Sequence, residues 1–227
     1  GRGWCPCWTG RNGRRRWRTH ISHDRKLTPE ERAEMKAYTR LADAFTPMLK
    51  LMSSEYCNSL AYDAIQIFGG SGYMKDYPIE RIYRDARITN IYEGTSQLQV
   101  VAAIRHVTTG TYLAQIKEYE AQTYEQKHLH EKLVALREEY EQSVQKVVSA
   151  ENNEFIDFHA RRMVEMAAHI IISYLLMRQA GEVEDYRNSA ELYVKYAEAQ
   201  NSAAARYIES STLADLDLIS AVKEEEL

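Results

Sequence analysis

The stretch Ile91-Tyr92-Glu93-Gly94-Thr95-Ser96-Gln97 sets one carboxylate against a Gly-Thr turn, at the point where a new helical pattern begins. Two chemistries suit it. A glutamate among apolar neighbours can serve as a general base near neutral pH, because burial disfavours its charged form. The first N–H groups of the following helix favour an anion such as phosphate. A lone carboxylate in this place also suits a plain helix cap. Upstream, Gln66-Ile67-Phe68-Gly69-Gly70-Ser71-Gly72-Tyr73 closes a helical pattern with two glycines. These permit positive φ and close backbone approach, which serves either a helix terminus or a ligand phosphate. Between the two blocks lies Tyr83-Arg84-Asp85-Ala86-Arg87-Ile88. Its charges, with Arg81, read as a solvated or intersubunit ion-pair network of small net value.

The elements that must position these residues are helical almost without relief. Thr28-Pro29-Glu30-Glu31 combines a hydroxyl cap, a first-turn proline and acids facing the positive end of the helix dipole, so a helix is predicted from there to Phe45. Thr46-Pro47 predicts a restart or kink. A second helix is predicted from Pro47 to about Ile67, with Leu51, Cys57, Leu60, Ala61, Ala64 and Ile65 as its apolar stripe, ended by Gly69-Gly70. Tyr77-Pro78 opens a short helix through Ile79, Ile82 and Tyr83. Glu93-Gly94-Thr95 separates it from another helix through Leu98, Val101, Ala102 and Arg105, and Gly110 closes the unit.

From Thr111 the composition changes to long charged helices. Leu129, Leu133, Leu136, Tyr140, Val144 and Val147 recur at spacings of three and four, as do Phe155, Phe158, Arg162, Met166, Ile170, Tyr174 and Met177. A further helix is predicted from Tyr186 to Ile208. Strand signals are nearly absent. The predicted fold class is therefore all-α, a helical bundle over 23–110 followed by a second antiparallel bundle over 111–227.

Residues 1–22 stand apart as a non-family, disordered or artefactual segment. They contain all three tryptophans, Cys5 and Cys7 in a Gly-Arg-rich context without a sustained period. Cys5-Pro6-Cys7 is too close and too isolated for a zinc site, and Cys57 reads as a small apolar filler. The histidines lack metal-ligand spacing, since His128 and His130 lie two apart and His159 and His169 ten apart. No metal is expected. A net charge of -4 does not argue for nucleic acid, and the longest apolar run, Met166 to Met177, is too short for a membrane span and is broken by His169 and Ser173. Unpaired cysteines and the lack of an apolar signal core point to a reducing, cytoplasmic setting. The acidic end, Lys223 to Glu226, reads as a solvated tail.

Taken in order, the Gln66 to Gly70 block, the Tyr83 to Ile88 block and Ile-Tyr-Glu-Gly-Thr resemble the C-terminal domain of flavin-dependent acyl-CoA dehydrogenases. The region after Gly110 resembles the added helical domain of the family's longer members. The resemblance implies FAD as cofactor, an acyl-CoA substrate, electron-transfer flavoprotein as partner and a homo-oligomer. It assigns Glu93 as the base that takes the α proton. Tyr92 and Gly94 would contact substrate, with Tyr92 and Ile91 supplying apolar surroundings. Thr95 and Gln97 would contact flavin, and Gln66, Gly69 and Gly70 would reach the adenosine-diphosphate end of FAD in a neighbouring subunit. The family's N-terminal helical and middle β domains have no counterpart in this sequence, so the chain alone is expected to be inactive. The alternative is a non-catalytic helical oligomerisation or interaction module that keeps these blocks as packing.

Overall fold

The computed structural model describes residues 28–218. The expectations for residues 1–22 and for Lys223 to Glu226 lie outside the described residues. Helix α1 (Pro29–Phe68) runs into a 3-10 turn (Gly69–Tyr73). Then come α2 (Ile79–Ile88), α3 (Ser96–Thr108), α4 (Thr111–Glu120), α5 (Lys127–Ser149), α6 (Asn153–Glu182) and α7 (Tyr186–Ser210). Among the described residues there is no strand, and the all-α prediction holds.

The start of α1 follows the sequence signal. Thr28 Oγ1 accepts from the Glu31 N–H at 3.2 Å, and the Glu31 carboxylate accepts from the Thr28 N–H at 3.0 Å. This reciprocal pair satisfies two donors that a helix end leaves open. The chain does not restart a helix at Thr46-Pro47, because one helix continues through Pro47. An internal proline costs about 3 kcal/mol. Against that, Pro47, Met48 and Leu51 are all buried, and a buried Met or Leu side chain contributes about 1.5–3 kcal/mol. Side-chain donors also serve this turn. Tyr112 Oη donates to the Ala44 carbonyl and Thr46 Oγ1 to the Ala42 carbonyl, each at 2.6 Å.

The apolar stripe predicted for the second half of α1 is corrected in the same way. Leu51 and Ala61 are buried, Ala64 and Ile65 are half-buried, and Leu60 and the Cys57 thiol are exposed. Beyond Asn58 the helix has Tyr62 against Tyr83 of α2 and Phe68 against Tyr77, and Leu60 and Ile67 stay exposed among the described residues.

Helix α6 occupies the middle. It packs against α7, α5, α3, α4 and α1, and buried residues run along it from Phe155 through Met163, Met166, Ala167, Ile170 and Tyr174 to Ala180. The apolar run Met166 to Met177 is thus a core helix, with only the face of Ile172, Leu175 and Leu176 half-buried. His169 and Ser173 within it are accommodated locally. Asn201 Nδ2 donates to the Met166 carbonyl at 3.2 Å, which leaves Asn201 Oδ1 to accept from His169 Nδ1 at 2.9 Å. Ser173 Oγ donates to the His169 carbonyl at 2.7 Å. Arg162, which fell in the apolar rhythm, lays its guanidinium over the Tyr207 ring at 3.9 Å and bonds the Phe158 carbonyl. No helix among the described residues is long and apolar enough to cross a membrane.

His159 is fully buried between Phe155 and Phe158 with no hydrogen-bond partner for either ring nitrogen among the described residues, and the buried Tyr174 hydroxyl of the same helix likewise has none. Burial, with the nearby charges of Arg162 and Lys146, pushes the His159 pKa down from 6.5 to about 4. The folded state therefore holds the neutral ring, and the unfolded chain binds the extra proton as pH falls below 6.5. Folding stability is therefore independent of this group's titration above pH 6.5 and falls as pH drops from 6.5 towards 4. Urea unfolding across this range should show the loss, and His159→Phe should flatten it while raising stability above pH 7 by about 1–2 kcal/mol, since two unsatisfied polar atoms are removed.

Candidate active site

The loop joining α2 to α3 carries Glu93, and α1 holds it from below. Ile91 and Tyr92 N–H groups return to the Ile88 carbonyl at 2.9 and 3.0 Å, and the Ser96 N–H closes the loop on the Asn90 carbonyl at 3.0 Å. Glu93 itself sits at φ 53 and Gly94 at φ 90. A left-handed conformation costs a non-glycine residue about 1 kcal/mol or more, so surrounding bonds must hold it.

Those bonds come from side chains on successive turns of α1. Lys50 Nζ donates to the Thr89 carbonyl at 2.6 Å and to the Gly94 carbonyl at 2.8 Å. Asn58 Nδ2 donates to the Ala86 carbonyl at 2.9 Å and also meets Asn90 Oδ1. One oxygen of Glu55 accepts from Asn90 Nδ2 at 2.8 Å and from Ser96 Oγ at 2.6 Å. Gln99, one turn into α3, reaches back to the Gly94 carbonyl at 3.3 Å. Burial would raise the Glu55 carboxyl, but the Ser96 bond, the charge and bond of Arg161 and the Asn90 bond outweigh it and hold the group below the usual range.

None of Lys50, Glu55, Asn58 or Gln99 was singled out from sequence. The available signal was a set of polar residues, Lys50, Ser54, Glu55 and Asn58, interrupting a helix whose neighbours Leu51 and Met52 are core.

Of the sequence-predicted residues, the structure brings Tyr92, Glu93, Gly94, Thr95 and Gln97 together in this one turn. Thr95 is the N-cap of α3, its hydroxyl accepting from the Leu98 N–H at 3.3 Å. Gly94 is favoured by its positive φ, and an added Cβ would lie 2.6 Å from the Gln99 amide nitrogen and displace that side chain from the turn. Gln66, Gly69 and Gly70 lie elsewhere, at the far end of α1, about 12 Å along the axis from Asn58. Gly69 takes φ 60 as the helix ends. Gly72, not picked out beforehand, is the tight position, since a Cβ there would meet the Ile65 carbonyl at 2.7 Å.

The apolar surroundings expected for Glu93 are not built by this turn. Glu93, Ile91 and Tyr92 are all exposed, because the turn faces outward from the helices that hold it. A cavity of about 260 Å³ lies instead between α6 and α7, lined by Arg162, Glu165, His169, Asn201 and Tyr207, and contains none of the predicted site residues.

Comparison with known proteins gives two consecutive family matches. Residues 23–108 match the family described as "Acyl-CoA dehydrogenase, C-terminal domain", and residues 108–216 the one described as "Acyl-CoA dehydrogenase C terminal". The short-chain specific acyl-CoA dehydrogenase of Bos taurus mitochondria is 42% identical over 91 residues, covering 40% of this chain and 19% of its own length. The Caffeyl-CoA reductase-Etf complex subunit CarC of Acetobacterium woodii is 56% identical over 52 residues, covering 23% of this chain and 14% of its own. The chain thus spans about a fifth or less of the curated relatives it matches. An acyl-CoA dehydrogenase from Bacillus anthracis, solved as a complex with FAD, shares the fold at a TM-score of 0.59 and 19% identity, covering 86% of this chain and 38% of that one.

Two adjoining matches on an all-α chain define a pair of helical C-terminal domains. The chain belongs to the acyl-CoA dehydrogenase family.

The turn geometry gives a paired expectation. Gly94→Ala, which meets both the positive φ and the Gln99 amide, should lower stability in urea unfolding by about 1–2 kcal/mol. Gly70→Ala, where a Cβ meets nothing within 4 Å, should change it by less than about 0.5 kcal/mol.

Proposed function

We propose that this chain is the C-terminal part of an FAD-dependent acyl-CoA dehydrogenase in which Glu93 takes the α proton of the thioester substrate. The observation carrying this reading is the turn itself. Glu93 projects from a left-handed residue whose flanking carbonyls are held inward by Lys50 and Gln99, leaving its carboxylate free to meet a substrate. In the proposed reaction the Cα–H bond breaks and its proton passes to the Glu93 carboxylate, while a hydride leaves Cβ and a double bond forms between the two carbons. FAD, when bound, supplies the hydride acceptor.

The residues present suit the outer parts of that cofactor. Gln66 and Gln97 are exposed amides, Gly70 offers an open surface, and the N-terminus of α3 carries Thr95 and Gln97 in a position that favours anionic groups. Thr95 hydroxyl and Gln97 amide would bond to flavin, and Gln66 with Gly69-Gly70 to its diphosphate end. We place 23–110 as the site-bearing unit and 111–227 as its helical support, and electron-transfer flavoprotein as the acceptor of electrons.

Exposed apolar residues on the site-bearing unit support a homo-oligomer or further domains as cover. Leu60 is 69%, Ile67 85%, Tyr73 83% and Leu98 58% exposed. A partner surface covering Ile91 and Tyr92 beside Glu93 would supply the apolar surroundings a proton acceptor needs.

In a full-length enzyme carrying this sequence, Glu93→Gln should slow flavin reduction by acyl-CoA about 10²–10⁴-fold, read by stopped-flow absorbance. Undiminished reduction would favour a non-catalytic helical module. The 227-residue chain alone should emerge from gel filtration without flavin absorbance after mixing with FAD. Stoichiometric retention, with reduction by acyl-CoA, would overturn the reading of this chain as inactive by itself.

A further inference from the structure

Glu55 links two parts of the molecule that are distant in sequence. One of its oxygens accepts from Asn90 and Ser96, which stand three residues to either side of Glu93. Its other oxygen faces Arg161 of α6 at 3.3 Å, and Arg161 also donates to Glu165 at 2.8 Å. Next to it, the Tyr56 and Tyr193 hydroxyls meet at 2.9 Å, so α1 is tied to both α6 and α7 at this level.

As a source of global stability the Arg161–Glu55 pair counts for little, because the two side chains remain 48% and 30% exposed. Its geometry counts for more. Both loop bonds fall on one carboxylate oxygen, and the terminal torsion of a glutamate is soft and roughly two-fold. A donor on the second oxygen therefore restrains the carboxylate plane at the angle that keeps the other oxygen within reach of Asn90 and Ser96. We propose that Glu55 is a positioning residue for the Glu93 turn and that Arg161 orients it, so that the second helical unit governs the site through this carboxylate. The catalytic consequence rests on Glu93 being the proton acceptor; the effect on the turn does not.

A glutamine at position 55 keeps the volume, yet one of its faces is a donor. It must turn that face either to Arg161 or to Asn90 and Ser96, and one contact is lost in both cases. The test begins with amide hydrogen exchange of the intact 227-residue chain, reading the Ser96 N–H that closes the turn on Asn90. Exchange there should quicken about tenfold in Glu55→Gln and about three- to fivefold in Arg161→Gln. Arg161→Lys should restore most of the protection. Glu165→Gln, which removes the other partner of Arg161, should leave it unchanged. The Tyr56–Tyr193 tie remains in every variant, and circular dichroism checks that each is folded. Unchanged Ser96 exchange in both Glu55→Gln and Arg161→Gln, or an equal increase in Glu165→Gln, would overturn the proposal.

The second arm uses the full-length flavoprotein. Glu55→Gln should lower the rate of substrate α-proton exchange with deuterated water about tenfold, with KM within about twofold and FAD content unchanged. Equal α-proton exchange rates in Glu55→Gln and wild type would remove the positioning role in catalysis. Glu93→Gln, run beside it, reads the base assignment separately: full activity there would end the catalytic reading while the Ser96 result on the turn stood.

Discussion

Helix α6 is apolar on nearly every face, and a helix of that kind is stable only where others surround it. The arrangement of the rest follows. Helices α5 and α7 cover it from the C-terminal half of the chain, α3 and α4 from the middle, and the buried segment Ala44 to Met52 of α1 joins the same continuous core. Covering α6 brings the two family-matched segments into one packed body. The same constraint keeps α1 whole at Pro47, since that proline lies within the stretch most needed for the core.

With its apolar faces satisfied, α6 has polar positions left at its margin, and these set the chemistry of the seam. Arg161 reaches Glu55 and Glu165, while Arg162 finds the Tyr207 ring. On α1, Lys50, Glu55 and Asn58 turn towards the α2–α3 loop and capture its carbonyls and side chains. The left-handed residue Glu93 is held mainly through its neighbours, by Lys50 on the Thr89 and Gly94 carbonyls, while Gln99 Nε2 donates to both the Glu93 and Gly94 carbonyls at 3.4 and 3.3 Å. Its backbone is therefore fixed while its carboxylate stays open to whatever approaches from outside.

Beyond Asn58, α1, the 3-10 turn and α2 run clear of the core with Leu60, Ile67 and Tyr73 in the open. Apolar groups gathered in this number on one region mark a surface made to be covered. That asymmetry explains why the periodicity of Cys57, Leu60 and Ile65 was misleading. A helical stripe records which face is apolar, and it does not record whether the cover comes from the same chain.

Much was legible from the residues alone. The hydroxyl cap at Thr28, the glycine stop at Gly69-Gly70, the proline start at Pro78 and the three- and four-residue rhythms of α5 and α6 are local signals. Their physics is completed within a few residues, so the sequence determined the helices, the all-α class and the grouping of Tyr92 to Gln97 in one turn. The continuity through Pro47, the exposure of Cys57 and Glu93 and the service of Lys50, Glu55, Asn58 and Arg161 to the turn were decided only by tertiary structure. Each depends on a partner tens of residues away in the chain. Glu55 and Arg161 meet because α1 and α6 share a core, and no local spacing of charges encodes that meeting.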